Sequence, residues 1–232
     1  MDYECRAISL LCHKYGEGAV IAKVFTEELG LKSFSIKRSG GRKSKNKLSL
    51  LESQFLINIS GKNNKKKQIQ YLNEINLAYA FHDNAFKKKL IRTFISEVLS
   101  KTLIDSEKNK ELFEFAWKTN ISIDKAEKIR ENFCLEFLVQ LTYYLGIYPS
   151  TENMNYNVFN INNGVFTNKE VPGQLNLKGT NLKFFKKIIK KEEVSIPREN
   201  RRELIKNIFD YFTCHHYKLS EIKSYNVILS LE

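Results

Sequence analysis

The sequence predicts an α+β fold: a small five-stranded barrel at the N-terminus, then a mostly α-helical half with a short irregular insert. Two observations carry this. Apolar residues alternate with a period of two in short runs up to about residue 80, and from there they recur at i, i+3 and i+4. The chain of 232 residues, 42% hydrophobic, is also long enough to bury a core in each half.

The strands come first. Arg6-Ala7-Ile8-Ser9-Leu10-Leu11 and Ala19-Val20-Ile21-Ala22-Lys23-Val24-Phe25 flank the turn Tyr15-Gly16-Glu17-Gly18. Lys32-Ser33-Phe34-Ser35-Ile36-Lys37 places Phe34 and Ile36 on one face and Ser33, Ser35 and Lys37 on the other. Gln54 to Ile59 and Gln68 to Ile75 complete five strands, with Asn63 and Asn64 in the turn between them. Five short strands with one long basic connection match the strand number and size of an OB-fold. The first domain is therefore expected over residues 1–80 and a helical domain over residues 81–232.

In the second half Leu90, Phe94 and Val98 fall at i, i+4 and i+8, with Ile91, Ile95 and Leu99 beside them. Leu112, Phe113, Ala116 and Trp117 begin another helix. Phe133, Phe137, Leu138, Leu141, Tyr144 and Leu145 mark a third, stopped by Gly146 and Pro149. Residues 150–180 are rich in Asn and Gly, with a candidate hairpin from Tyr156 to Phe166 around Asn162-Asn163-Gly164. Helical patterning resumes at Leu182 to Ile189, Leu204 to Phe212 and Ile222 to Leu231.

No apolar run approaches the roughly 20 residues of a membrane-spanning helix, and the N-terminus does not read as a signal peptide. Cys5, Cys12, Cys134 and Cys214 form no CxxC pair, which suits a reducing cytosol and small buried thiols. The expected location is cytoplasmic, nucleoid-associated, with no membrane partner.

Charge is the informative quantity. The net charge is +12, and an excess of this size suggests a polyanionic partner. Richness in Lys, Asn and Ile also arises from AT-rich coding DNA, so distribution must decide. Lys32, Lys37, Arg38, Arg42, Lys43, Lys45, Lys47, Lys62, Lys65, Lys66 and Lys67 face only Glu52 within their segment, which puts +10 of the +12 there. A uniform coding bias would not concentrate charge in this way. Each cation set on a phosphate releases condensed counterions, giving salt-dependent, sequence-tolerant binding. Gly40 and Gly41 let backbone approach a phosphate, and the Ser and Asn side chains between the lysines add hydrogen bonds. A second candidate patch comprises Lys186, Lys187, Lys190, Lys191, Arg201 and Arg202, where an ordinary charged helix face is the competing reading. Tyr15, Phe34 and Tyr71 are candidates for stacking on unpaired bases, with core packing as the alternative.

No reaction centre emerges. The GxxxxGK[ST] phosphate loop is absent, and Gly40-Gly41-Arg42-Lys43-Ser44 matches only its tail. His215 and His216 are adjacent, so they do not share a helix face as zinc ligands would. Glu221 and Lys223, preceded by Asp210, only faintly suggest a nuclease carboxylate cluster. No catalytic residue, metal or cofactor is expected.

Several words of the sequence resemble those of the RecO recombination-mediator family, in order and along essentially the whole chain. They are Tyr15-Gly16-Glu17, Val24 to Leu31, the basic run Lys37 to Lys47, Asn109 to Phe115, Tyr144-Leu145-Gly146-Ile147-Tyr148-Pro149 and Ile222-Lys223-Ser224. The style is closest to RecO proteins of the Bacteroidetes. The resemblance implies an OB-fold and a helical domain that bind single- and double-stranded DNA and anneal complementary strands without catalysis. It also implies work with RecR, and in some bacteria RecF, to load RecA onto strands coated by single-stranded-DNA-binding protein (SSB), whose C-terminal tail is a further partner. The alternatives are a protein-bridging adaptor with incidental DNA contact and a metal-dependent nuclease.

One departure stands out. Many RecO proteins carry a four-cysteine zinc module after the Leu-Gly-x-x-Pro word, whereas this chain has no cysteine from Ser150 to Thr213. Elemental analysis of the purified protein is expected to find no stoichiometric zinc, and one zinc per chain would overturn that expectation.

Overall fold

The computed structural model describes residues 2–37, 47–51, 54–64, 66–83, 85–103, 108–219 and 222–231. They form two compact units, Met1–Glu127 and Lys128–Glu232.

In the first unit, β1 (Asp2–Tyr15), β2 (Ala19–Thr26), β3 (Gly30–Lys37), β4 (Leu56–Lys62) and β5 (Ile69–Tyr79) follow the five predicted runs. They close an OB-like barrel in the order β1-β2-β3-β5-β4, with β4 returning to β1. The β3–β5 pair is parallel and the others antiparallel. Alternation sends Ala22, Val24, Phe34, Ile36, Ile57 and Ile59 into the barrel, where they pack with Cys5, Ala7 and Ile75.

Part of the barrel's outer face is apolar as well. Ile8 pairs with Phe25, and Phe25 with Leu31, so the three form a row across β1, β2 and β3. All three are buried. The helices α1 (Phe86–Thr102) and α2 (Lys110–Lys125) belong to the same unit, and Phe113 of α2 meets Phe25 edge-on at 5.4 Å between ring centroids. Asn109 starts α2 by accepting a hydrogen bond from the Leu112 amide at 2.9 Å.

A charged node fixes α2 to β1. The Arg6 guanidinium donates to both oxygens of Glu27, at 3.0 and 2.9 Å, and also to Glu114. It lies 5.1 Å from the Trp117 ring centroid. Farther along α2, the buried Asp124 carboxylate accepts from the Tyr79 hydroxyl and from the His82 and Asp83 amides, at 2.9 to 3.1 Å. Burial pushes this carboxyl up, but those donors outweigh it and hold it below its ordinary value. The end of β5 is thereby tied to the end of α2.

The second unit contains α3 (Phe133–Tyr144), β6 (Val158–Asn160), β7 (Val165–Thr167), β8 (Asn176–Lys178), α4 (Gly179–Ile189), α5 (Arg198–Cys214) and α6 (Lys223–Leu231). The predicted hairpin is β6–β7, and β8, absent from the sequence reading, adds antiparallel to β6. No cysteine lies from Ser150 to Thr213, so these residues do not fit a four-cysteine zinc site. An aromatic core holds the segment instead: Phe159 meets Phe166 at 5.0 Å, Phe185 at 4.9 Å and Tyr211 at 6.0 Å. Tyr211 donates to the Ile147 carbonyl at 2.7 Å and passes close under the hairpin turn. No helix among the described residues is long and apolar enough to cross a membrane.

Two outcomes follow from this packing. Gly164 has φ +69°, and a Cβ there would lie 2.5 Å from the Tyr211 hydroxyl oxygen. Gly164→Ala is expected to lower stability by about 2 kcal/mol, through the left-handed backbone and the forced retreat of Tyr211; denaturant unfolding with a loss under about 0.5 kcal/mol would show that the ring yields freely. The second concerns acid. Hydrogen bonding to Arg6 holds the Glu27 carboxyl below its ordinary value. The stabilisation is therefore complete above the unfolded-state value, about 4.3, and is lost as pH falls through the lower folded-state value. Glu27→Gln should flatten the acid limb of the stability profile, and an unchanged limb would contradict the assignment.

Candidate nucleic-acid interface

Lys62 ends β4, and the loop from there to β5 carries Lys66 and Lys67; all three are exposed. The loop is braced from beneath by Gln70, which is 3% exposed. The Gln70 side chain accepts from the Asn64 amide at 2.9 Å, donates to the Asn64 carbonyl at 2.9 Å, and donates to the Lys67 carbonyl. Asn64 in turn accepts from the Lys66 amide at 3.0 Å. The Asn64 and Lys66 amides and the Asn64 and Lys67 carbonyls are thus satisfied within the loop, while the Lys66 and Lys67 side chains are exposed. Sequence reading missed Gln70, because a polar residue at an inward strand position carries no signal of its own.

Parallel pairing brings this loop beside β3. Ser33, Phe34 and Ser35 align with Ile69, Gln70 and Tyr71. Lys37 is exposed on β3, and Lys32, on the same pleat face as Phe34, is half-buried. Lys47 lies in a helical turn at residues 47–49 and donates to the Asn73 carbonyl at 2.6 Å. Arg38, Arg42, Lys43, Lys45 and Lys65 lie outside the described residues.

The three candidate aromatics divide. Phe34 is fully buried in the barrel core and is unavailable to a base; the alternation that sets Ser33 and Ser35 outward turns it inward. Tyr15 and Tyr71 are 62% and 58% exposed. The Lys67 ammonium nitrogen lies 5.6 Å from the Tyr71 ring centroid, within cation–π range.

The second basic patch does not stay together. Lys187, Lys190 and Lys191 are exposed, as is Lys183. Lys186 is half-buried and donates to the Tyr156 carbonyl at 2.6 Å; burial, then the neighbouring Lys190 charge, pull its ammonium below the usual lysine value. Arg201 is 5% exposed, donates to the Ile196 carbonyl at 2.9 Å, and pairs with Glu131 at 3.3 Å. Arg202 donates to the Leu229 carbonyl at 2.6 Å. These two arginines support the second unit's packing rather than a shared cationic surface. Among the described residues no group of three or more His, Cys, Asp or Glu side chains could hold a metal ion. His215 packs edge-on against Tyr211 at 4.5 Å, and Glu221 lies outside the described residues.

The β4–β5 junction depends on a close approach. A Cβ on Gly61 would lie 2.7 Å from the Tyr3 hydroxyl oxygen and 3.0 Å from the Tyr71 carbonyl oxygen. The Tyr3 hydroxyl is buried without a hydrogen-bond partner among the described residues. Gly61→Ala is expected to cost about 1–3 kcal/mol by overpacking. Adding Tyr3→Phe should restore part of the loss; an unrelieved double variant would assign the clash to the Tyr71 backbone.

Both halves of the chain match families of known proteins. Residues 1–81 match the family described as Recombination protein O N terminal, and residues 85–225 match Recombination protein O C terminal. The DNA repair protein RecO of Flavobacterium psychrophilum is 28% identical over 98% of both chains, and that of Flavobacterium johnsoniae is 27% identical over the same share. The DNA repair protein RecO of Christiangramia forsetii is 30% identical over 69% of this chain and 68% of its own. Matched along both halves, this chain belongs to the RecO family of DNA repair proteins.

Proposed function

We propose that this chain is a DNA-binding recombination mediator. It anneals complementary strands and, with RecR, helps load RecA onto single-stranded DNA coated by SSB, without catalysing a reaction itself. One observation carries the reading: the segment from Lys32 to Lys67 holds +10 of the chain's +12 net charge. It includes Lys62 at the end of β4 and the braced loop of Lys66 and Lys67. Annealing requires that two polyanions approach each other. Neutralisation by a basic surface lowers that repulsion with no reaction centre.

The second unit carries a cavity of about 730 Å³ with apolar walls from Val139, Tyr143 and Ile188, but Arg130 and Lys191 are matched there by Glu136, Glu192 and Glu193, so its charge does not single out an acidic partner such as the SSB tail. RecR, and RecF where it is used, are the remaining protein partners of this reading.

Binding measured across a salt series tests the DNA half. Reversing Arg42, Lys43 and Lys45 together to Glu is expected to reduce the slope of log affinity against log salt by about 2 on single strands, at about 0.7 for each phosphate no longer neutralised. The melting temperature should change little, and unchanged affinity would remove this segment from the interface. Capture of a tail peptide only in the absence of DNA binding, with no annealing of coated strands, would favour the adaptor. Cleavage of labelled DNA with Mg²⁺ that tracks the purified protein would overturn the non-enzymatic reading.

A further inference from the structure

The turn between β6 and β7 holds the chain's single Asn-Gly pair, Asn163-Gly164. This dipeptide has a chemistry of its own. The backbone nitrogen that follows an asparagine can attack that residue's side-chain carbonyl carbon, and glycine, with no Cβ, offers the least hindered nitrogen. Asn163 is exposed, and Gly164 sits at φ +69°, a left-handed conformation common in hairpin turns. The reacting groups are therefore neighbours at a surface turn, and whether they meet depends on what else holds them.

The fold holds both. The Gly164 amide donates to the Asn160 carbonyl at 2.9 Å, and the Asn163 amide donates to the Asn160 side-chain oxygen, also at 2.9 Å. Asn160 is fully buried and is itself fixed, because its Nδ2 donates to Gln174 Oε1 at 2.6 Å. The Asn163 side chain leans toward the same oxygen, with its Nδ2 3.4 Å away. From the other side the Ser150 amide donates to the Gly164 carbonyl at 2.8 Å, and the Tyr211 hydroxyl fills the space a Gly164 Cβ would need. A nitrogen engaged in place, in a turn pinned on both sides, does not swing onto the Asn163 side chain.

We propose that Asn163 is a modification site which the amide network around Asn160 keeps latent. When the turn opens, the Gly164 nitrogen bonds to the Asn163 side-chain carbonyl carbon and gives up its proton. The side-chain nitrogen takes up a proton and leaves as ammonia, which closes a five-membered succinimide. Water then adds to one of the two ring carbonyls and breaks its C–N bond, leaving aspartate or isoaspartate, with nothing oxidised or reduced. Either product sets a carboxylate where an amide donor faced Gln174 Oε1, so that acceptor meets acceptor. Isoaspartate also lengthens the backbone by a methylene, in a turn where Tyr211 leaves no room at Gly164. The opened turn cannot close again as before, so the change is a one-way consequence of opening the β6–β7 hairpin.

Incubating the full chain in mildly alkaline buffer, folded and in denaturant, with peptide mapping that separates asparaginyl, aspartyl and isoaspartyl forms, tests it. In denaturant Asn163 should be the first asparagine of the chain to react. In the folded chain it should react roughly thirtyfold more slowly, the factor expected if two hydrogen bonds to Asn160 must break first. Gln174→Ala, which releases the Asn160 side chain, should raise the folded rate severalfold and leave the rate in denaturant unchanged. Asn163→Asp, which carries the carboxylate without the longer backbone, should lower the denaturant midpoint of unfolding. Equal rates in folded and denatured chains would overturn the latency, and earlier reaction at another asparagine would overturn the site. A folded rate unmoved by Gln174→Ala would remove the network as the cause. If that variant does not fold, hydrogen exchange of the parent decides the same point: the Gly164 amide should be protected, and exchange as fast as in an unstructured chain would sink the proposal.

Discussion

Closure of the barrel rests on three residue pairs between β3 and β5, Ser33 with Ile69, Phe34 with Gln70 and Ser35 with Tyr71. Parallel pairing is slightly weaker per residue than antiparallel, and this seam is the barrel's shortest. Without it β3 and β5 would be open edges, and the cationic loop would have no fixed neighbour. The seam is reinforced from inside, because Phe34 and Gln70 both point inward. Phe34 fills the core, while Gln70 spends its amide on the loop backbone. One side chain therefore serves both the closure and the presentation of Lys66 and Lys67.

The remaining surface of the barrel is divided by burial. Across β1, β2 and β3 the Ile8–Phe25–Leu31 row is buried, with Phe113 of α2 against Phe25, and Arg6 clamps α2 through Glu27 and Glu114. Two rows farther toward the β1–β2 turn the outward residues are exposed or half-buried. The register shift between Ser9 and Leu11 lies between these two zones. A bulge adds one residue and bends its strand, so β1 turns from a buried half to an exposed half. The exposed zone is also the one that joins the basic loop.

Much of this is legible in the sequence, because period two and period 3.6 are the imprint of one-sided burial. β1 shows where the signal fades: Ala7, Ile8, Ser9 and Leu10 are all buried, so alternation disappears where helices cover the outer face. β8 has three residues, Asn176–Lys178, too few to show a period. The second basic patch fails for the opposite reason, since its periodicity is present and charge alone does not reveal which face each cation occupies. Arg201 leads Leu204, Ile205, Ile208 and Phe212 at helical spacing, and Lys186 sits four residues after Leu182 and three before Ile189. Both positions lie on buried faces, where a long cationic side chain survives only by reaching a carbonyl or carboxylate.

The composition of the basic segment bears on how strands would be held. Nine of its eleven cations are lysine, with Arg38 and Arg42 the exceptions. Arginine fixes a phosphate through a planar two-pronged contact, whereas lysine is a point charge on a mobile stem. A surface built from lysine gains affinity by counterion release without fixing the register of the strand. For a protein proposed to bring complementary strands together, that property is required, since strands held in one register could not search for their pairing.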